Sequence, residues 1–60
     1  MFGDSTGTPL KIGDTVTTKD GSLCLIKDFL VYEIAVEILC EDKVSHEFVV
    51  FQLKEVTKIS

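Results

Sequence analysis

Twenty consecutive residues, Leu23 to Asp42, contain neither glycine nor proline: LCLIKDFLVYEIAVEILCED. The stretch is long enough for about five helical turns, so its conformation decides the fold class. Two features select strands over a helix. β-Branched and aromatic residues crowd it, with Ala35 as the single alanine, and such side chains fit a pleated surface. At helical spacing its apolar residues fall on every side, and a chain of 60 residues has no second layer to bury such a helix. The expectation is two strands joined by a hairpin.

The flanking residues supply further strands. Gly13–Asp14 suits a turn, and Asp14–Lys19 then sets Val16 among Thr15, Thr17 and Thr18. Lys19-Asp20-Gly21-Ser22 suits a hairpin turn, because Asp-Gly tolerates positive φ. Leu23–Val31 is the second strand, and the chain turns near Tyr32–Glu33. With Tyr32 at the centre, residues whose numbers sum to 64 face each other. Lys27 then meets Glu37 as an ion pair, Leu25 meets Leu39, Ile26 meets Ile38, and Cys24 meets Cys40. Glu41–Ser45 reads as a polar turn and His46–Phe51 as a fourth strand. Gln52–Val56 fits a single 3₁₀ turn with Leu53 and Val56 on one face, and residues 57–60 close the chain as a short fifth strand. Residues 1–9, rich in Gly, Thr and Ser, read as an irregular or disordered lead-in, although Phe2 could fold back onto the domain.

This layout resembles an SH3-like small barrel over residues 10–60. The residues that carry the resemblance are Gly13-Asp14-x-Val16, Lys19-x-Gly21, Ile26 with Phe29, Val36-Glu37, and Phe51-x-Leu53-x-x-Val56. They are similar to the opening and closing segments of KOW and Tudor-like modules, of short bacterial proteins of this barrel type, and of the plasmid-borne type II dihydrofolate reductases. The resemblance implies an all-β, five-stranded SH3-like barrel with one 3₁₀ turn before the last strand. The KOW resemblance further implies a nucleic-acid surface near the first hairpin turn, with Lys11, Lys19, Lys27 and Tyr32. The reductase resemblance rests on YEIAVEI and VVFQLKEVTKI, and implies a homotetramer with a central pore. That family lines its pore with a Val-Gln-Ile-Tyr run. Here the nearest segment is Val49-Val50-Phe51-Gln52, and the Gln and Tyr are missing from their places.

Composition narrows the function classes. Apolar residues make up 45% of the chain, enough to fold. A domain this short buries only about 60% of its unfolded surface, which leaves little room for a deep monomeric active site. Ten acidic residues face six basic ones, all Lys, for a net charge of −4. The Arg-bearing basic stripe of a nucleic-acid binder is missing. No run approaches the roughly 20 apolar residues of a membrane span, and the first eight residues lack the basic head and apolar core of a secretory signal. The expectation is a cytoplasmic protein whose Cys24 and Cys40 are thiols rather than a disulfide.

Reactive constellations are sparse. One His and two distant Cys without C-x-x-C spacing do not make a structural zinc site. A dyad of His46 with either Cys lacks a third, orienting group. The glycines at 3, 7, 13 and 21 form no phosphate-cradling loop. No catalytic residue, cofactor or metal is expected.

The apolar residues exceed what one interior needs. In the hairpin above, Leu25, Ala35 and Leu39 lie opposite Cys24, Ile26, Val36 and Ile38, and Phe48-Val49-Val50-Phe51 is apolar on both faces. The second face calls for cover by another surface or by the N-terminal segment, unless the strands bend so sharply that both faces partly bury. The expected core is Val16, Ile26, Val36, Ile38, Val50, Leu53 and Val56, with Cys24 and Cys40 packed against each other. The expected function is a non-catalytic interaction module that self-associates and binds a protein partner; its resemblance to small phage and mobile-element proteins implies an accessory protein of that kind. Its contact residues are Leu25, Leu39, Tyr32, Phe51, Lys19 and Lys27.

Overall fold

A computed structural model describes residues 2–59. The strands are β1 (Phe2–Gly3), β2 (Pro9–Leu10), β3 (Thr15–Thr18), β4 (Leu23–Val31), β5 (Val36–Asp42), β6 (Phe48–Gln52) and β7 (Val56–Lys58), with a 3₁₀ turn at Leu53–Glu55. The glycine-free stretch is therefore two strands, and the described residues hold no α-helix. Five strands form one antiparallel sheet in the order β6-β5-β4-β3-β7, so the last strand returns to pair with β3. The strand pattern and the 3₁₀ turn match the sequence expectation.

Local chemistry sets the turns. Between β3 and β4 the Thr18 and Gly21 amides donate to Ser22 and Thr18 carbonyls, both at 3.0 Å. Gly21 takes φ 86° there, which glycine adopts without a Cβ clash. The Asp20 carboxylate accepts the Ser22 amide at 3.1 Å. Gly13 likewise has φ 96° in the turn before β3, where the Asp14 carboxylate accepts the Lys11 amide at 3.0 Å and meets the Lys58 ammonium at 3.4 Å. That ion pair ties the entry of β3 to β7.

The β4–β5 register differs from the expected one. Cys24 pairs with Asp42, Leu25 with Glu41 and Ile26 with Cys40. A bulge at Lys27 then shifts the ladder, so that Asp28 pairs with Leu39, Phe29 with Ile38, Leu30 with Glu37 and Val31 with Val36. The hairpin closes on Tyr32–Ala35, with the Tyr32 amide donating to the Ala35 carbonyl at 2.8 Å. The bulge has a plain physical use. Strict alternation would carry the inward face from Cys24 and Ile26 to Asp28, burying a carboxylate. One extra residue sends Asp28 outward and brings Phe29 in.

The core consists of Leu10, Val16, Cys24, Ile26, Ile38, Cys40 and Val56, with Phe29, Phe51 and Leu53 packed against it. Val16, Ile26, Ile38 and Val56 fall where the sequence placed them. Leu53 packs against them while partly buried, and Val36, on the Ile38 face of β5, is also partly buried, but Val50 is exposed on the opposite face. The cause lies in the β5–β6 pairing: Ile38 meets Phe51 and Leu39 meets Val50, so Phe51 turns inward and Val50 outward. A strand apolar on both faces leaves that choice to its neighbour.

Within the segment 1–9 expected to be irregular, the described residues 2–9 form a small hook closed by Leu10. Phe2 pairs with Leu10 and Gly3 with Pro9. The Phe2 ring does fold back, lying 4.9 Å from the Phe29 ring between centroids. At the bend, the buried Asp4 carboxylate accepts the amides of Thr6 (2.8 Å), Thr8 (2.9 Å) and Lys58 (2.7 Å).

Candidate interaction surface

The side chains opposite the core line up in rows across β4, β5 and β6. One row runs Leu25–Glu41–Phe48, the next Asp28–Leu39–Val50, and the third Leu30–Glu37–Gln52. Leu25 and Leu39, separated by the bulge into different rows, share this outer face and are partly buried on it. Phe48 is 63% and Val50 46% exposed. The apolar strip therefore opens toward β6, the end of the sheet.

Of the carboxylates on this face, Glu41 is paired. The Lys27 ammonium lies 3.3 Å from Glu41 Oε1 and His46 Nδ1 lies 3.2 Å from Oε2. The His46 contact and then Lys27 hold the Glu41 carboxyl below its usual range. Lys27 thus meets Glu41 rather than Glu37, a consequence of the shifted register.

The two ends of the sheet are treated differently. At β7 the Ser5 amide donates to the Val56 carbonyl at 2.9 Å and the Lys58 amide donates to Asp4 at 2.7 Å, so the hook satisfies the strand's outward groups. The Lys58 amide bond leads in drawing the Asp4 carboxyl down to about 2 against the upward push of burial, with Thr6 and Thr8 adding to the pull. At the other end, among the described residues, β6 pairs only with β5. Its five residues carry no charge and no proline.

The remaining expected contact residues are scattered. Phe51 faces inward against the core, and with Thr18, Lys19, Asp20 and Glu55 it lines a shallow groove between β3 and β6. Tyr32 is exposed in the β4–β5 turn. Lys19 and Tyr32 precede and follow β4, a nine-residue strand that spans about 27 Å. Lys19 and Tyr32 of the set expected of a KOW-like surface therefore lie at opposite ends of β4. Sequence reasoning left out Val31 and Ile34, which with Tyr32 make the β4–β5 tip apolar and exposed, Ile34 at 97%. Two apolar residues flanking a turn residue were the available signal.

Cys24 and Cys40 are free and buried, as expected, but they are diagonal neighbours rather than a facing pair, since Cys24 meets Asp42 and Cys40 meets Ile26. Burial, then the nearby Asp42 and Asp20, push the Cys24 thiol up. Burial and then Cys24 push the Cys40 thiol to about 11. Both are held as protonated, weakly nucleophilic thiols at neutral pH. Among the described residues no three His, Cys, Asp or Glu side chains gather as a metal site, and no helix is long and apolar enough to cross a membrane. Compared with protein-family models, curated proteins and solved structures, the chain matches none.

Proposed function

We propose that this protein is a small non-catalytic interaction module of SH3-like barrel type that self-associates through the β6 side of its sheet. The observation that carries the reading is β6 itself: an uncharged terminal strand with Phe48, Val49 and Val50 all exposed. Leu39 and Leu25 continue the apolar strip inward from it. Exposed apolar surface concentrated at one place is what an association surface needs.

The barrel reading is supported by the strand order, in which β3 bridges β4 and β7, and by the 3₁₀ turn before β7. It is further supported by the groove shared by Thr18 of β3 and Phe51 of β6. Nuclear Overhauser contacts from the Phe51 ring to Thr18 are expected; their absence would leave an open sheet. Sedimentation across the micromolar concentration range tests the association. The expected result is a mass that rises with concentration, and for Phe48→Glu a mass that stays at the monomer. A wild-type chain monomeric throughout would overturn the proposal.

A further inference from the structure

We infer that two copies of the chain join by antiparallel pairing of β6 with β6 about a two-fold axis at Val50. The inference rests on the self-association reading and specifies its geometry and partner. Three observations carry it. The fold caps one edge of its sheet with Asp4 and Ser5 and leaves the other, β6, ladder-paired among the described residues with β5 alone. Proteins blunt free edges with Lys, Pro, bulges or cover, and Phe48–Gln52 has none of these, pairing with β5 without a bulge. The strand is also neutral in a chain of net charge −4, so a second copy can meet it without setting carboxylates against each other.

Symmetry restricts the register. A two-fold axis perpendicular to the sheet keeps every side chain on its own face, so the residue on the axis must face its own copy. Val50 is the centre of the five-residue strand. Pairing about it sets Phe48 opposite Gln52 of the second copy and Val49 opposite Phe51 of the second copy. Both sheets then continue as one, and Phe48 and Val50 are covered from the side. A standard interface takes about 800 Å² from each partner, about a fifth of the 3916 Å² surface of the chain. A five-residue seam supplies less, so a dimer with Kd in the micromolar range is expected.

The test combines sedimentation of three chains with oxidative cross-linking of a fourth. Val50→Lys sets like charges opposite each other on the axis and should weaken the dimer at least about tenfold. Leu25→Lys lies two strands away on the same outer face and should leave the dimer intact. Val50→Cys should form an intermolecular disulfide rapidly under mild oxidant. Facing residues have Cα atoms about 4.5–5.5 Å apart, inside disulfide reach, whereas wild type with its buried cysteines should not cross-link. Circular dichroism checks folding; if Val50→Lys does not fold, the Val50→Cys cross-link decides. A dimeric wild type that Leu25→Lys dissociates, or whose Val50→Cys form fails to cross-link, overturns strand pairing and leaves self-association standing. A wild type that never dimerises overturns both.

Discussion

Single residues here have roles that their type alone does not reveal. Ile26 is fully buried at the centre of the core, and truncating a buried isoleucine to alanine costs roughly 2–5 kcal/mol. A core this small supplies about 3–5 kcal/mol in all, so Ile26→Ala should show no cooperative melting transition by circular dichroism. Val36→Ala, at a partly buried position, should keep one. The cysteines give a complementary readout. Both thiols are buried with their ionisation pushed up, so a thiol reagent should label them slowly in the native protein and rapidly in urea. Fast native labelling of both would mean that the inward faces of β4 and β5 are wrongly assigned.

At the scale of elements, the bulge in β4 and the N-terminal hook do work that neither strand length nor turn chemistry announces. Lys27 is the extra residue between the Ile26 and Asp28 pairs. Deleting it would join Ile26 directly to Asp28 and leave the same pairs as an unbulged ladder, with Asp28 still outward and Phe29 still inward. The shortened chain should therefore keep a cooperative transition by circular dichroism, and loss of it would contradict the bulge assignment; Lys27→Ala should melt within a few degrees of wild type, since an exposed ion pair contributes about 1 kcal/mol or less. The hook depends on Asp4, which accepts three backbone amides. Hydrogen bonds to a charged group contribute roughly 2 kcal/mol, so Asp4→Ala should lower Tm by about 8–16 °C in a domain of this size. It should also raise hydrogen exchange at the Lys58 amide, a local effect that a general loss of stability would not single out.

At the scale of the whole molecule, charge governs how stability depends on pH. The Asp4 carboxyl is drawn from 3.8 to about 2 by its amide partners, led by Lys58. Asp14, Asp20, Glu41 and Asp42 are lowered as well. A group whose folded pKa lies below its unfolded one favours folding when ionised. Its contribution is complete above the unfolded pKa and is lost as pH falls through the folded one. The urea midpoint should therefore vary little from about pH 7 to pH 5 and fall between about pH 4 and pH 2. Asp4→Asn should start lower and fall less steeply across that window. A midpoint that rises on acidification would contradict the hydrogen bonding described for these carboxylates.

What the sequence determined by itself follows from local rules. The Asp-Gly turn, the run of Thr and Val, and a long stretch apolar at every helical angle suffice to place five strands and the 3₁₀ turn, because each rests on backbone preference or period. Leu25 and Leu39 do share the outer face as expected, but through the bulge: beyond it Leu25 faces Glu41, of like parity, whereas on the turn side Phe29 faces Ile38. Tertiary structure decided the rest. The β4–β5 register depends on where the turn closes and on one inserted residue, and the telling signal, Asp28 on the parity of Ile26, has meaning only once that face is known to be buried. Val50 and Phe51 are equally apolar, and only pairing with Leu39 and Ile38 turned one out and the other in. Asp4 looked like a loop residue because its partner, the Lys58 amide, lies 54 positions away. Side-chain type and period are local quantities, whereas register, the capping of an edge and the exposure of β6 are set by contacts between segments distant in the chain.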